Sequence, residues 1–361
     1  MEQQTDAMGM LDLLSSPGFC VKDNIIVKAN AQAKSLLIEE GVSVSPLLLT
    51  GGEEYAAFDG GCLYLTLDLS GQSFGTSVAR MDGFDVFLLE QEDDQAELQA
   101  MALAARELRE PLANVMATAD RLFPLTALQD DPQTRDQVAR LNRGLFQMLR
   151  VIGNMSDASR YSASPQGNQE TRDICQLMGE LFEKAEDLVA HTGLTLTFRN
   201  HPESVYCLVD SERLERAVMN ILSNAIKFTP KGGSIQASLT KRGRKLYLTV
   251  QDSGSGIASE VYSSVFRRYL RQPGIEDGRF GIGLGMVLIR SAAAQHGGTV
   301  LIDQPQDQGT RITMTIAIRQ NPTAMVCSSI LRVDYAGERD HGLIELSDCL
   351  PAALYDSKKV N

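Results

Sequence analysis

From Asp93 to Leu122 apolar residues recur at Leu98, Met101, Ala105, Leu108, Leu112, Val115, Ala119 and Leu122, alternating steps of three and four. That period belongs to an α-helix with one apolar seam and is incompatible with a strand. After Phe123-Pro124 and the polar Asp130-Asp131-Pro132, a second seam runs Val138, Leu141, Leu145, Met148, Ile152, Met155. Two such helices make a hairpin. A lone hairpin leaves its seam half uncovered, so a homodimer closing a four-helix bundle is the expected way to bury residues 93–160. A monomeric hairpin packed on its own domain is the open alternative.

Residues 1–92 follow a different pattern. Gly18-Phe19-Cys20-Val21-Lys22 with Ile25-Ile26-Val27, then Cys62 to Leu67, then Gly83 to Leu89, read as strands, with a short helix over Asn30 to Leu37 and turns at Gly51-Gly52, Gly60-Gly61 and Gly71. A strand pair, a helix and a late antiparallel meander are compatible with a PAS-like sensor module, and equally with a small α+β domain that binds nothing. Residues 161–171 form a polar linker. Residues 172–320 form a second globular domain, an α/β sandwich by pattern. It has helices over Ile174 to Val189, Ser211 to Phe228 and Leu284 to Gln295, and strands at Leu194 to Phe198, Tyr206 to Val209, Ser234 to Leu239, Lys245 to Gln251 and Thr310 to Ile318. The extension 321–361, with apolar runs at Ile330 to Tyr335 and Leu343 to Leu346, carries enough signal for a strand and a short helix, and no role follows from it.

Composition narrows the function. The 361 residues are 43% hydrophobic, enough for sizeable cores, and the net charge of −12 would repel a phosphate backbone, so nucleic acid is not an expected partner. The six cysteines lie far apart with no C-x-x-C pair, which fits reduced thiols better than a zinc site or a disulfide framework. No apolar run approaches the roughly 18 residues that span a bilayer, so no membrane span and a cytoplasmic location are expected.

Three motifs in the C-terminal domain carry chemistry. In Asn220-Ile221-Leu222-Ser223-Asn224-Ala225-Ile226-Lys227-Phe228, the residues Asn220, Asn224 and Lys227 share one helix face, where amide oxygens can reach a phosphate-bound Mg²⁺ and the ammonium can reach phosphates. Ile221, Leu222, Ala225 and Ile226 already supply the core face, so the polar stripe is free to serve a ligand. Asp252-Ser253-Gly254-Ser255-Gly256-Ile257 follows an apolar strand. There a carboxylate can accept from an exocyclic amino group such as that of adenine, while the glycines admit close backbone approach. Gly281-Ile282-Gly283-Leu284-Gly285 opens a helix, whose N–H groups favour an anion.

In this order and spacing the motifs resemble those of sensor histidine kinases of two-component signalling, over residues 98 to 320. The resemblance implies an α+β multidomain chain ending in an ATP-binding domain of the histidine kinase, gyrase and MutL type, with ATP and Mg²⁺ as cofactors. It further implies that Asn220 and Asn224 hold Mg²⁺ and phosphates, Lys227 contacts phosphate, Phe228 flanks the nucleotide and Asp252 reads adenine. Gly254, Gly256, Ile257, Gly281, Gly283, Leu284 and Gly285 would shape the pocket, and Ala258 to Phe280 would form a lid with Phe266 as its aromatic. A response regulator or other signalling protein is the implied partner.

The family's phosphoacceptor motif, His-Glu-Leu-Arg-Thr-Pro-Leu, is matched by Arg106-Glu107-Leu108-Arg109-Glu110-Pro111-Leu112. Glu107 stands at the position of the base. Arg106 replaces the acceptor. A guanidinium stays protonated and has only donors, so Arg106 cannot take a phosphoryl group, and His191, His201, His296 and His341 all lie outside both seams. Glu110 replaces the Thr or Asn that in the family helps position water. Arg106 and Glu110, four apart, are expected to form an exposed ion pair; a sharper alternative has Arg106 contacting the γ-phosphate. The leading expectation is a protein that binds Mg-ATP without autophosphorylating at the usual position. An active kinase acting on another residue or a partner, and a dimeric scaffold that binds no nucleotide, are the alternatives.

Overall fold

The computed structural model describes residues 9, 11–12, 14–81, 83–90, 93–123, 132–163, 167–257, 265, 283–305, 309–319 and 340–356. Strand β3 (Cys62–Leu69), CLYLTLDL, is its organising element, because both of its faces are covered. Leu63, Leu65 and Leu67 enter an N-terminal core with Phe19, Val21, Val78 and Phe87, whereas Cys62 and Tyr64 enter the core of the C-terminal domain. On one edge β3 pairs with β4 (Gln72–Met81), followed by β5 (Phe84–Leu89), β1 (Gly18–Lys22) and β2 (Ile25–Ala29), all antiparallel.

On its other edge β3 pairs antiparallel with β11 (Val300–Asp303), matching Cys62 to Ile302, Leu63 to Leu301 and Tyr64 to Val300. Beyond β11 lie β12 (Arg311–Ala317), β10 (Lys245–Asp252), β9 (Ser234–Arg242) and β7 (Thr195–Asn200), so one ten-stranded sheet runs through both domains. Strands β6 (Glu170–Asp173) and β8 (Tyr206–Val209) form a separate pair. Side chains reinforce the joint: Lys245 Nζ lies 2.8 Å from both Glu54 carboxylate oxygens, and Arg290 pairs with Glu90. The sequence reading missed β4, whose Gly75 and hydroxyl residues dilute its alternation, and the four-residue β11.

Short helices α1 (Ala31–Ser35) and α2 (Gly52–Ala56) flank the N-terminal sheet; Asn30 caps α1 by accepting from the Ala33 N–H at 2.9 Å. The hairpin consists of α3 (Asp93–Leu122) and α4 (Pro132–Ala163). The expected linker is shorter than 161–171, since α4 runs through Ala163 and β6 starts at Glu170. The seam of α3 also divides. Leu98, Ala105, Leu112, Met116 and Ala119 are buried, while Leu108, Val115 and Leu122 are exposed, as are Leu141 and Met148 on α4. A single partner helix covers only one flank of a broad apolar stripe.

In the C-terminal domain, α5 (Ile174–Ala190), α6 (Ser211–Phe228) and α7 (Gly285–Gln295) share one core with the sheet. The expected helix near Leu343 is α8 (His341–Glu345), followed by a 3₁₀ turn at Ala352–Tyr355; both are inserted against α4, with α8 also touching α5 and α6. The expected strand at Ile330 to Tyr335 lies outside the described residues. Among the described residues Cys20, Cys62, Cys175, Cys207 and Cys349 are free thiols, and no helix is long and apolar enough to cross a membrane.

Candidate nucleotide site

Helix α6 is built for burial. Leu214, Ala217, Val218, Ile221, Leu222 and Ala225 follow helical spacing toward the core. Asp210 caps the start by accepting from the Arg213 N–H at 3.1 Å, and Thr229-Pro230 stops the helix where proline disfavours continuation. The cap is anchored in turn, because the Asp210 N–H donates to His296 Nε2 at 3.0 Å just beyond the end of α7.

Contacts between backbone and small residues bring the three motifs together. A Cβ on Gly254 would stand 2.5 Å from the Phe228 carbonyl oxygen, so the loop after β10 abuts the end of α6 only because residue 254 has no side chain. A Cβ on Gly285 would stand 2.9 Å from Asn220 Oδ1, which places the start of α7 against the middle of α6. Asn224 Nδ2 lies 3.8 Å from Met286 Sδ. Leu284 is buried with Leu98, Ala158 and Tyr161, so the hairpin packs directly on the glycine-rich helix start.

Asp252 ends β10, buried. Its Oδ1 accepts from the Gly254 N–H at 2.8 Å and the Thr310 N–H at 3.1 Å, while Oδ2 accepts no hydrogen bond from the described residues. Burial pushes its pKa up, and these two backbone donors oppose that shift. One oxygen thus fixes the side chain and the other remains for a donor. Of the remaining expected residues, Gly256, Ile257 and Gly283 are half-buried and Phe228 is exposed; Phe266 and Gly281 lie outside the described residues.

The polar stripe of α6 departs from expectation. Asn220 is buried, its Nδ2 donating to the Arg216 carbonyl at 2.8 Å and its Oδ1 accepting from Arg150 Nη2 at 3.4 Å. Lys227 Nζ donates to Asp348 Oδ2 at 2.9 Å, and Asp348 also pairs with Arg150. Arg216 pairs with Glu345 and, at 2.5 Å, with Asp157 Oδ2. The stripe is not free, because α4 and the segment carrying α8 cover it. Burial raises the Asp157 pKa although Arg216 and Arg160 pull it down. Arg150, Arg216, Glu345 and Asp348 were not anticipated. The signal was there in Leu343-Ile344-Glu345-Leu346, where a carboxylate interrupts an apolar run and so needs a buried cation.

Arg106, Glu107 and Glu110 are exposed on α3. The expected ion pair between Arg106 and Glu110 is not formed. At an exposed i,i+4 position such a pair gains no more than about 0.5 kcal/mol, which side-chain entropy readily cancels.

Residues 209–320 match the family of histidine kinase-, DNA gyrase B- and HSP90-like ATPases. An uncharacterized sensor-like histidine kinase of Rhizobium meliloti is 28% identical over 274 residues, covering 71% of this chain and 51% of its own length. The sensor histidine kinase WalK of Bacillus subtilis is 27% identical over 232 residues, covering 63% of this chain and 38% of its own. The chain thus spans about half the length of these curated relatives or less. The structure of full-length ShkA in complex with AMPPNP is similar in fold, with a TM-score of 0.50 and 21% identity over 62% of this chain and 47% of that one. Residues 209–320 are therefore an ATPase domain of the histidine kinase-, DNA gyrase B- and HSP90-like kind, and the chain is similar to sensor histidine kinases over roughly two thirds of its length.

Proposed function

We propose that the protein is a two-component signalling protein that binds Mg-ATP between α6, the loop after β10 and the start of α7, and that its nucleotide state sets conformation instead of starting phosphotransfer at α3. The observation that carries this reading is Asp252, fixed through Oδ1 by two backbone donors with Oδ2 left for the exocyclic amino group of adenine. Arg106 in place of a nucleophile removes the acceptor. In this reading residues 1–92 are a PAS-like sensor module, consistent with the meander β3 to β5 beside the strand pair β1 and β2. The exposed row Leu108, Val115, Leu122, Leu141 and Met148 supports a homodimer closing a four-helix bundle. A response regulator is the proposed partner and the cytoplasm the proposed location.

The donor set fits Mg²⁺ only together with phosphate. Among the described residues no three His, Cys, Asp or Glu side chains are grouped to hold a metal, and Arg150 and Lys227 stand beside Asn220 and Asn224. Asn224 and Asn220 would supply amide oxygens, the hard ligand type that suits Mg²⁺ when it is held together with phosphate. Bound there, Mg²⁺ would neutralise phosphate charge; Lys227 would orient the phosphates.

The test pairs two measurements on the full chain. Mg-ATP should raise the melting temperature of the parent and leave that of Asp252→Asn unchanged; no shift in either leaves the scaffold reading standing. With γ-labelled ATP the parent should stay unlabelled while Arg106→His acquires acid-labile label. Stable label on the parent, or on a co-purified partner, would make it an active kinase instead.

A further inference from the structure

Three buried cations meet where α4 faces α6: Arg150, Arg216 and Lys227, with side chains 5%, 1% and 8% exposed. Three carboxylates balance them, and two of the three, Glu345 and Asp348, belong to the segment 340–356. Only Asp157 comes from the hairpin. Without that segment the cluster would keep an excess of two positive charges, which attracts an anion. A phosphate is an anion of the right kind to take the place of the two carboxylates.

Resting on the nucleotide reading above, we propose that Arg150 and Lys227 form an anion subsite for the terminal phosphates of ATP, and that segment 340–356 is an internal ligand which competes for it through Asp348. The same Asp348 Oδ2 accepts from Lys227 and Arg150, one oxygen bridging two cations as a phosphate oxygen can. Arg150 belongs to this subsite because its Nη2 also donates to Asn220 Oδ1, which ties a hairpin residue to the motif helix. The segment's fit is incomplete: Arg150 Nε and Glu345 Oε2 lie 4.0 Å apart, and among the described residues neither has a hydrogen-bond partner. Its seat combines polar and apolar contacts: Arg143 of α4 donates to the Ser347 and Asp348 carbonyls at 3.1 Å, Asn142 donates to the Tyr355 carbonyl at 3.0 Å, and Arg135 pairs with Asp356. Leu343, Ile344, Leu346, Leu350 and Tyr355 bury against the C-terminal core, Tyr355 lies edge-on to Phe146 of α4, and Cys349 touches Ser223. ATP binding would then require the Asp348 contact to open, which couples nucleotide occupancy to the packing of α4 on α6.

The experiment measures binding of AMPPNP with Mg²⁺ to the full-length parent and to Asp348→Asn, which keeps shape and removes the charge. If the segment holds the subsite in about nine of ten molecules, the variant binds about tenfold tighter. A dissociation constant within about twofold of the parent's overturns the competition while leaving nucleotide binding intact. Absence of binding to either protein overturns the nucleotide reading and this proposal with it. Hydrogen exchange gives a readout that needs no variant: amides within 340–356 should exchange faster at saturating Mg-AMPPNP. Unchanged protection there with nucleotide bound would also overturn the proposal.

Discussion

His296 sits just past the end of α7 with its Nε2 accepting from Asp210 and its Nδ1 paired with the Ala292 carbonyl at 2.6 Å, an arrangement that requires the neutral ring. Burial pushes its pKa down from 6.5 to about 4. The unfolded chain takes up a proton near pH 6.5, and the folded protein does not until about 4. Between those values the unfolded state binds more protons, so stability falls as pH drops through that window, by at most about 3 kcal/mol. Urea midpoints of the parent should fall from pH 7 to pH 4.5, and His296→Gln, which can make both hydrogen bonds, should flatten that slope. At Arg216 the cost is direct. Arg216→Met strands Glu345, fully buried, and Asp157, and should cost about 3–5 kcal/mol by denaturant unfolding, the range for removing one member of a buried ion pair. At this scale the sequence disclosed the motif residues but not their partners. Asp252 and Gly254 stand two apart in the chain, whereas Arg150 meets Asp348 across almost two hundred positions, a distance that no local pattern spans.

Among the elements the hairpin was the most legible, because its period is a property of the helix itself. What the period could not disclose is which flank α4 covers and which stays open. Leu108, Val115 and Leu122 recur every seven residues on the open flank of α3, half to two-thirds exposed. Val115→Asp sets a charge in the middle of that row without touching the intrachain core. It should convert a dimer to a monomer in sedimentation analysis while leaving the melting temperature of the monomer fold nearly unchanged. An unchanged sedimentation coefficient would remove the bundle reading. Helix α6 is the opposite case. Its core face was read correctly, but its polar face was taken as open, because a buried Asn, Arg or Lys looks in sequence the same as a solvated one until the covering element is known. Pro111 lies inside α3, where it lacks the N–H that would bond the carbonyl of Glu107, and the helix nevertheless continues to Leu122.

At the scale of the whole molecule the joint between β3 and β11 could not have been inferred, since two strands on either side of the hairpin pair only through the completed fold. The β3–β11 pairs, the Glu54–Lys245 and Glu90–Arg290 contacts and a strand shared by both cores tie the domains together. The N-terminal and C-terminal parts of the sheet should therefore melt as one unit. Calorimetry should give a single peak with a calorimetric enthalpy near the van't Hoff value, and two resolved peaks would show that the joint is weak. The alternation of β3 adds a consequence of its own. Cys62 and Tyr64 belong to one core, Leu63 and Leu65 to the other, so sliding the strand by a single residue would exchange every one of them between cores. A one-residue slip is therefore closed to this joint, and only the observed register, or one an even number of residues away, keeps each side chain in its own core.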